Sequence, residues 1–207
     1  MNNRVRVKVC GITSAEDALA AVEAGSDALG FMFYQQSSRY VPLEEAAGIM
    51  ANLPPFITKA GVFVDASREA IDLAISCCPL DVIQLHGSET PEMCANFSRP
   101  VIKAFRIAGE ESLGLLPSYQ TSAWLLDSYV PGQLGGTGAK FNWNLAVLAG
   151  RLGRPIILAG GLTPENVAEA IRQTRPFAVD VSSGVEFSPG RKDPGKMREF
   201  IHAVRTA

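Results

Sequence analysis

Cys10 is the residue whose type and position most directly suggest chemistry. It ends the run Val5-Arg6-Val7-Lys8-Val9-Cys10, in which apolar and polar residues alternate. Period two puts Lys8 and Cys10 on the same face of a strand, so an ammonium lies beside the thiol. A nearby positive charge favours the thiolate, which serves as a base or nucleophile near neutral pH. A free cysteine is otherwise a small buried apolar residue, and on position alone both interpretations stay open.

Asp127 is the second candidate, because it ends the short apolar run Ala123–Asp127. A carboxyl group partly removed from water holds its proton to higher pH and can act as a general acid. The alternative is an aspartate that only caps a loop. Cys10 and Asp127 are therefore the predicted acid–base pair.

Lys8 raises a question of charge, because a lysine facing a protein interior is costly unless it is paired. The candidate partners are Asp180, Asp127 and Gln84, and the alternative is a strand with a solvated polar face. Lys8, Gln84, His86 and Asp180 are predicted to contact a bound substrate.

These residues must be positioned by a regular alternation of short β-rich runs and longer helical patterns. The predicted strands are Val5–Cys10, Ala28–Phe33, Ala60–Val64, Val82–Leu85, Val101–Phe105, Ala123–Asp127, Ile156–Ala159 and Ala178–Val181. The predicted helices are Ala15–Ala24, Leu43–Leu53, Arg68–Cys78, Pro91–Phe97, Asn144–Leu152, Pro164–Thr174 and Pro194–Val204, with a weak one at Gly109–Tyr119. Each unit repeats after about 24 residues, which suits one strand, one helix and two short loops.

Eight such units in strict order predict an α/β protein, a closed (β/α)8 TIM barrel forming a single domain over residues 1–207. An open dinucleotide-binding sheet is disfavoured, because Gly11-Ile12-Thr13 after the first strand does not make the glycine fingerprint. In such barrels the active site lies at the carboxyl ends of the strands. Both catalytic candidates fall at strand ends.

Glycine and serine follow the last two predicted strands. Gly160-Gly161 comes after strand seven and Ser182-Ser183-Gly184 after strand eight. Backbone N–H groups can approach a phosphate closely at glycine, and serine hydroxyls add hydrogen bonds. The two loops therefore predict a phosphate site, although tight turns would use the same residues. Gly135-Gly136-Thr137-Gly138 is an anion cradle, a lid or a plain flexible loop.

Composition excludes several classes of protein. The chain has 207 residues, a net charge of −2 and 47% hydrophobic residues, so we expect a soluble protein that does not bind nucleic acid. No apolar run reaches the roughly 18 residues of a membrane span, and no secretory signal is recognisable. Four cysteines without CxxC spacing and two histidines make a metal cluster improbable. We expect reduced thiols, a cytoplasmic location and no cofactor.

Seven segments of the chain together resemble the phosphoribosylanthranilate isomerase family. They run in order from the first strand to beyond the eighth, without a large insertion. They are Lys8–Thr13, Gly30–Tyr34, Ser37–Tyr40, Gln84–Gly87, Gly135–Gly138 with Phe141-Asn142-Trp143, Gly160–Leu162 and Asp180–Glu186. Asn142 departs from the aspartate expected in its motif, and asparagine caps a helix equally well.

The resemblance implies an isomerase of tryptophan biosynthesis that needs no metal or cofactor. It would convert N-(5′-phosphoribosyl)anthranilate to 1-(2-carboxyphenylamino)-1-deoxyribulose 5-phosphate by an Amadori rearrangement. By the same resemblance Cys10 is the general base, Asp127 the general acid and Arg39 the residue that holds the anthranilate carboxylate. The glycine and serine loops match the phosphate site.

Three alternatives compete with this interpretation. The oligomeric state stays open between monomer and homodimer. Indole-glycerol-phosphate synthase would use lysine and glutamate, and a histidine-pathway isomerase would use two aspartates without the cysteine of strand one. The third alternative is an inactive barrel that senses a phosphorylated ligand. Cys10 together with Asp127 argues against all three.

Overall fold

Eight parallel strands close into a barrel in the computed structural model, which describes residues 4–127 and 143–207. Each strand pairs with its neighbours in the chain, and β8 pairs with β1. The strands are β1 (Arg6–Cys10), β2 (Ala28–Met32), β3 (Thr58–Phe63), β4 (Val82–Leu85), β5 (Val101–Arg106), β6 (Ala123–Asp127), β7 (Ile156–Ala159) and β8 (Ala178–Val181). The predicted (β/α)8 barrel is confirmed.

Six α-helices pack around the barrel in the described part of the chain. They are α1 (Ala15–Ala24), α2 (Leu43–Ala51), α3 (Arg68–Cys77), α4 (Trp143–Gly150), α5 (Val167–Thr174) and α6 (Pro194–Arg205). The predicted ends of α1 are confirmed. The Ser14 hydroxyl accepts a hydrogen bond from the backbone N–H of Asp17, and Gly25 ends the helix in the left-handed region at φ 98°. None of the helices within residues 4–127 and 143–207 is long and apolar enough to cross a membrane.

The predicted helix Pro91–Phe97 is wrong, because this segment forms turns. Asn96 adopts a left-handed conformation at φ 62°, which ends any helical turn before it grows. The guanidinium of Arg68 also donates hydrogen bonds to the carbonyl oxygens of Ala95 and Asn96. Those carbonyls are therefore satisfied without a helix.

Two other predicted helices differ in form or in their first turn. The weak segment around Gly109–Tyr119 is a 3₁₀ helix, Glu110–Ser118. Helix α5 starts at Val167 rather than at Pro164. The Asn166 side chain explains the later start, because it accepts from the N–H of Thr163 and donates to the carbonyl of Gly161 in a preceding turn.

Two apolar layers confirm the alternation predicted for β1. Val7 and Val9 are fully buried in the large core between barrel and helices, whereas Lys8 and Cys10 lie on the opposite, inner face. A second, smaller cluster fills the inside of the barrel. It consists of Ala104, Ala123, Leu125, Ile157, Ala159 and Ala178. The buried polar residues Lys8 on β1, Gln84 on β4 and Asp180 on β8 complete the interior.

A small hairpin follows β8 and was not anticipated from the sequence. A 3₁₀ turn, Ser183–Val185, leads into the antiparallel pair β9 (Glu186–Ser188) and β10 (Arg191–Lys192). At its tip, the carbonyl of Gly190 accepts a hydrogen bond of 2.6 Å from the Thr13 hydroxyl. A Cβ at Gly190 would lie 2.9 Å from the carbonyl oxygen of Ser38. The hairpin thus packs against the loops that follow β1 and β2.

Candidate active site

The two predicted catalytic residues lie at the same end of the barrel. Cys10 is the last residue of β1 and Asp127 the last of β6, and all strands are parallel. Strands β7 and β8 separate β6 from β1 in the closed sheet. The thiol and the carboxyl group therefore belong to different sides of the barrel mouth.

Lys8 is paired inside the barrel beside Cys10. Its Nζ donates a 2.8 Å hydrogen bond to Oδ2 of Asp180, and each side chain is only 6% exposed. Of the three partners considered from the sequence, the structure gives Asp180. Gly30 on β2 makes room for this group, because a Cβ there would lie 2.7 Å from the Cys10 Sγ and 3.0 Å from the Lys8 Nζ.

Burial has the largest influence on the pKa of Cys10. Removal from water raises the pKa of the Cys10 thiol, and the charges of Lys8 and Lys192 only partly oppose this effect. Burial lowers the pKa of Lys8, but Asp180 and Cys10 outweigh it, so the pKa of Lys8 is raised. Lys8 favours the thiolate as expected from the sequence, but desolvation is the larger effect and the pKa of Cys10 is raised overall.

His86 and Gln84, predicted to contact substrate, are directed at Asp127. The Nε2 of His86 lies 3.1 Å from Oδ2 of Asp127, and the Nε2 of Gln84 lies 3.0 Å from Nδ1 of His86. With the amide placed in this way, Gln84 donates to Nδ1, and the neutral imidazole carries its proton on Nε2. His86 then donates to Oδ2 of Asp127 and orients the carboxyl group.

Arg39 follows β2 and reaches the mouth across Gly11. A Cβ at Gly11, which has φ 79°, would lie 2.5 Å from Cδ of Arg39. The guanidinium donates from Nε and Nη2 to the two carboxylate oxygens of Glu186, at 2.8 and 2.6 Å. Lys192 in turn donates to Glu186 at 2.8 Å. Glu186 and Lys192 were not singled out from the sequence. Glu186 ends a recognised motif, whereas Lys192 lies in a two-residue strand without a signal.

The two predicted phosphate loops meet in space. Gly160 and Gly161 adopt positive φ values of 81° and 63°. A Cβ at Gly184 would collide with the carbonyl oxygen of Leu162, so the loop after β8 packs directly on the loop after β7. Ser183 begins the 3₁₀ turn Ser183–Val185. The structure brings together the residues predicted to bind phosphate. The segment Gly135–Gly138 and Asn142 lie outside the described residues.

Three buried polar atoms near the mouth have no hydrogen-bond partner among the described residues. They are Oγ of Ser182, Oδ1 of Asp180 and Oε1 of Gln84. Leaving such atoms unsatisfied is costly, and a bound ligand with hydroxyl or phosphate groups would satisfy them. A cleft of about 270 Å³ opens at the ends of β3 to β5, with His86 and Arg106 in its lining.

One buried ion pair stabilises the mouth on the side of Asp127. Lys103 and Glu89 are 2.8 Å apart and nearly inaccessible, and they hold the loop that carries His86. Neither was singled out from the sequence. Within residues 4–127 and 143–207, no cluster of three or more His, Cys, Asp or Glu side chains is arranged to hold a metal ion.

A closed barrel with ionisable and phosphate-compatible groups at the carboxyl ends of its strands defines a barrel enzyme. A family model described as "N-(5'phosphoribosyl)anthranilate (PRA) isomerase" matches residues 7–203. A relative of that name from Geobacter metallireducens is 54% identical over 201 residues, covering 97% of this chain and 99% of its own. The chain therefore belongs to the N-(5′-phosphoribosyl)anthranilate isomerase family.

Solved structures of the family share the whole fold. The crystal structure of phosphoribosyl anthranilate isomerase from Thermotoga maritima is 44% identical, with a TM-score of 0.93, and the match covers 98% of this chain and 100% of that chain. A second phosphoribosyl anthranilate isomerase structure is in complex with reduced 1-(o-carboxyphenylamino)-1-deoxyribulose 5-phosphate. It is 42% identical, with a TM-score of 0.89, and the same shares of the two chains are covered.

Proposed function

We propose that this chain isomerises N-(5′-phosphoribosyl)anthranilate to 1-(2-carboxyphenylamino)-1-deoxyribulose 5-phosphate, a step of tryptophan biosynthesis, with Cys10 as base and Asp127 as acid. The observation that carries the residue assignment is their placement on two sides of one barrel mouth, with the loops after β7 and β8 between them. Family membership over nearly the whole chain supports the reaction.

Ring opening is the first step of the proposed mechanism. Asp127, oriented by His86, protonates the furanose ring oxygen, and the C1′–O bond breaks as the anthranilate nitrogen lone pair forms a Schiff base. General acid catalysis of this kind contributes typically about 10²–10⁴-fold to a rate.

Proton abstraction is the second step. The Cys10 thiolate removes the C2′ proton, and the electron pair moves to the protonated Schiff base to give an enolamine, which tautomerises to the ketone. The raised pKa of Cys10 makes the thiolate a stronger base once it forms, and the ammonium groups of Lys8 and Lys192 stabilise its charge.

Substrate binding is assigned to the groups around this pair. The anthranilate carboxylate suits the guanidinium of Arg39, because carboxylate and guanidinium can form two parallel hydrogen bonds. Gly160, Gly161, Ser182, Ser183 and Gly184 surround the phosphate, and the unpartnered atoms of Ser182 and Asp180 face hydroxyl or phosphate groups. In the proposal, Lys8, Gln84 and His86 act on substrate chiefly through Asp180 and Asp127.

Turnover of freshly made N-(5′-phosphoribosyl)anthranilate, followed by the loss of its fluorescence, tests the function. We expect activity without added metal and in the presence of a chelator. No turnover by pure, folded protein would overturn the assignment.

A second measurement tests the carboxylate role of Arg39. In Arg39→Ala we expect KM to rise by about 10- to 100-fold, the worth of a charge-assisted hydrogen-bonded contact. An unchanged KM would refute the role.

A further inference from the structure

Lys192 connects three parts of the proposed site through one ammonium group. Its side chain is 0% exposed. Nζ donates to the carbonyl oxygen of Cys10 at 2.6 Å, to the carbonyl oxygen of Ser182 at 3.4 Å and to Oε1 of Glu186 at 2.8 Å. The three acceptors belong to the end of β1, to the loop after β8 and to the hairpin strand β9.

Glu186, which accepts from Lys192, also accepts from Arg39. Its two carboxylate oxygens accept from Nε and Nη2 of the guanidinium, so the plane of that group is set by two hydrogen bonds. A guanidinium has five N–H groups, and this contact uses two of them. Among the described residues, only Glu186 accepts from the guanidinium, so the edge formed by Nη1 and the second hydrogen of Nη2 remains for another planar anion. The Arg39 side chain is 25% exposed, whereas that of Glu186 is 5% exposed.

The charges of the cluster favour an anion at that outer edge. The ammonium of Lys192 neutralises the Glu186 carboxylate, so Glu186 does not cancel the positive charge of Arg39. The hairpin that carries both residues is anchored independently. Asp17 in α1 accepts from the backbone N–H of Lys192 at 3.1 Å, and Thr13 donates to the carbonyl of Gly190.

We propose that Glu186 and Lys192 are positioning residues that hold the carboxylate-binding edge of Arg39 in a set place relative to Cys10, and so select substrates with a carboxylate on the aromatic ring. This inference rests on the proposed function. Glu186 touches only the inner edge of Arg39, and Lys192 touches the backbone of Cys10 rather than its thiol. Their effect on substrate is therefore exerted through those residues.

The test compares two ligands that differ only in the carboxyl group. The first is the reduced product analogue 1-(o-carboxyphenylamino)-1-deoxyribulose 5-phosphate named for the family structure, and the second is the same compound without its carboxyl group. Calorimetric Kd values are measured for the natural protein and for Glu186→Gln. An amide presents an N–H group to one of two donors, so it supports only half of the contact with Arg39.

In Glu186→Gln we expect affinity for the carboxylated ligand to fall by about 10- to 100-fold, with less than about twofold change for the carboxyl-free ligand. In Arg39→Ala we expect the same selective loss, and adding Glu186→Gln to Arg39→Ala should cause little further loss. Equal weakening of both ligands by Glu186→Gln, or a full additive loss in the double variant, would overturn the proposal.

Val204→Ala serves as the matched control, because Val204 is 5% exposed in α6 and outside the cluster. It should lower stability and leave the preference for the carboxylated ligand intact. If the natural protein does not turn over N-(5′-phosphoribosyl)anthranilate, the proposed function fails. If it does, and Glu186→Gln keeps the natural preference between the two ligands, only the positioning role fails.

Discussion

Two buried lysine–glutamate pairs lie on different sides of the barrel mouth. Lys192 and Glu186 are beside β1 and β8, and Lys103 and Glu89 are beside β4 and β5. In both pairs Nζ and the carboxylate oxygen are 2.8 Å apart, and no side chain of the four is more than 5% exposed. By distance and burial alone the two pairs are equivalent.

Their remaining hydrogen bonds differ. Lys103 also donates to the carbonyl of Gly87 at 2.7 Å, and Glu89 accepts from the backbone N–H groups of Asp65 and Gly87. The Lys103–Glu89 pair therefore stabilises the loop after β4, and its remaining partners are neutral backbone groups. The other pair continues through Glu186 to the charged guanidinium of Arg39. The distance and burial of an ion pair therefore do not indicate its function. The further hydrogen-bond partners of the pair do.

Removing the reacting groups should give the largest effects and tests whether catalysis is divided between the two sides. In Cys10→Ser and in Asp127→Asn we expect kcat to fall by about 10²–10⁴-fold each, because each loses its proton-transfer group. Steady-state kinetics measures the loss, and circular dichroism with urea unfolding checks that the fold is retained. A near-normal rate in either variant would remove that side of the mouth from the chemistry.

Removing each buried ammonium tests the difference between the pairs directly. Lys103→Met should lower the free energy of unfolding by about 3–5 kcal/mol, because Glu89 then keeps only neutral donors. Lys192→Met should cost less, since Glu186 keeps its two hydrogen bonds from Arg39. Urea unfolding at neutral pH measures both.

The control for that pair of variants is Lys59→Met, whose partner Asp81 is 48% exposed. It should change stability by no more than about 1 kcal/mol. If Lys192→Met were the more destabilising of the two buried variants, the distinction between the pairs would be lost.

Filling the space beside the Cys10 thiol tests the role of Cys10 as the base. In Gly30→Ala the added Cβ meets Sγ of Cys10 and Nζ of Lys8. We expect kcat to fall by about 10- to 100-fold, because small displacements of a catalytic group are costly. Gly48→Ala is the control, since nothing lies within 4 Å of its Cβ. In helix α2 it should stabilise the protein by about 0.5–1 kcal/mol at unchanged kcat. Equal kinetics in both variants would contradict the placement of Cys10.

The pH dependence is the smallest effect. Burial raises the pKa of Cys10 above its ordinary 9.0, so the reactive thiolate is still increasing at that pH. In the ultraviolet difference spectrum between the natural protein and Cys10→Ser, the absorbance of this thiolate should therefore still be increasing past pH 9. A plateau reached below pH 8 would show that the thiol is already ionised in the free enzyme. The spectrum of Cys10→Ser alone should lack this increase, which assigns the increase to Cys10.

Much of the barrel could be predicted from the sequence, because each strand and helix is encoded locally. Alternation in Val5–Cys10 and the bounds of α1, Ala15–Ala24, depend on neighbours in the chain, and the structure has them as predicted. The segment Pro91–Phe97 failed because a distant guanidinium, that of Arg68, binds its carbonyls. Periodicity within one segment carries no information about such a partner.

By itself, then, the sequence determined the order of the eight barrel strands, the inner face of β1 and the strand ends where Cys10 and Asp127 lie. Only the tertiary structure decided what surrounds them. Asp180 was one of three possible partners of Lys8 until the closure of β8 on β1 placed it opposite. The protonation of Cys10 depends on burial, and burial depends on every strand of the barrel. The contacts from Lys192 to Cys10 and from Glu186 to Arg39 join residues more than 140 positions apart, a distance across which no local pattern acts.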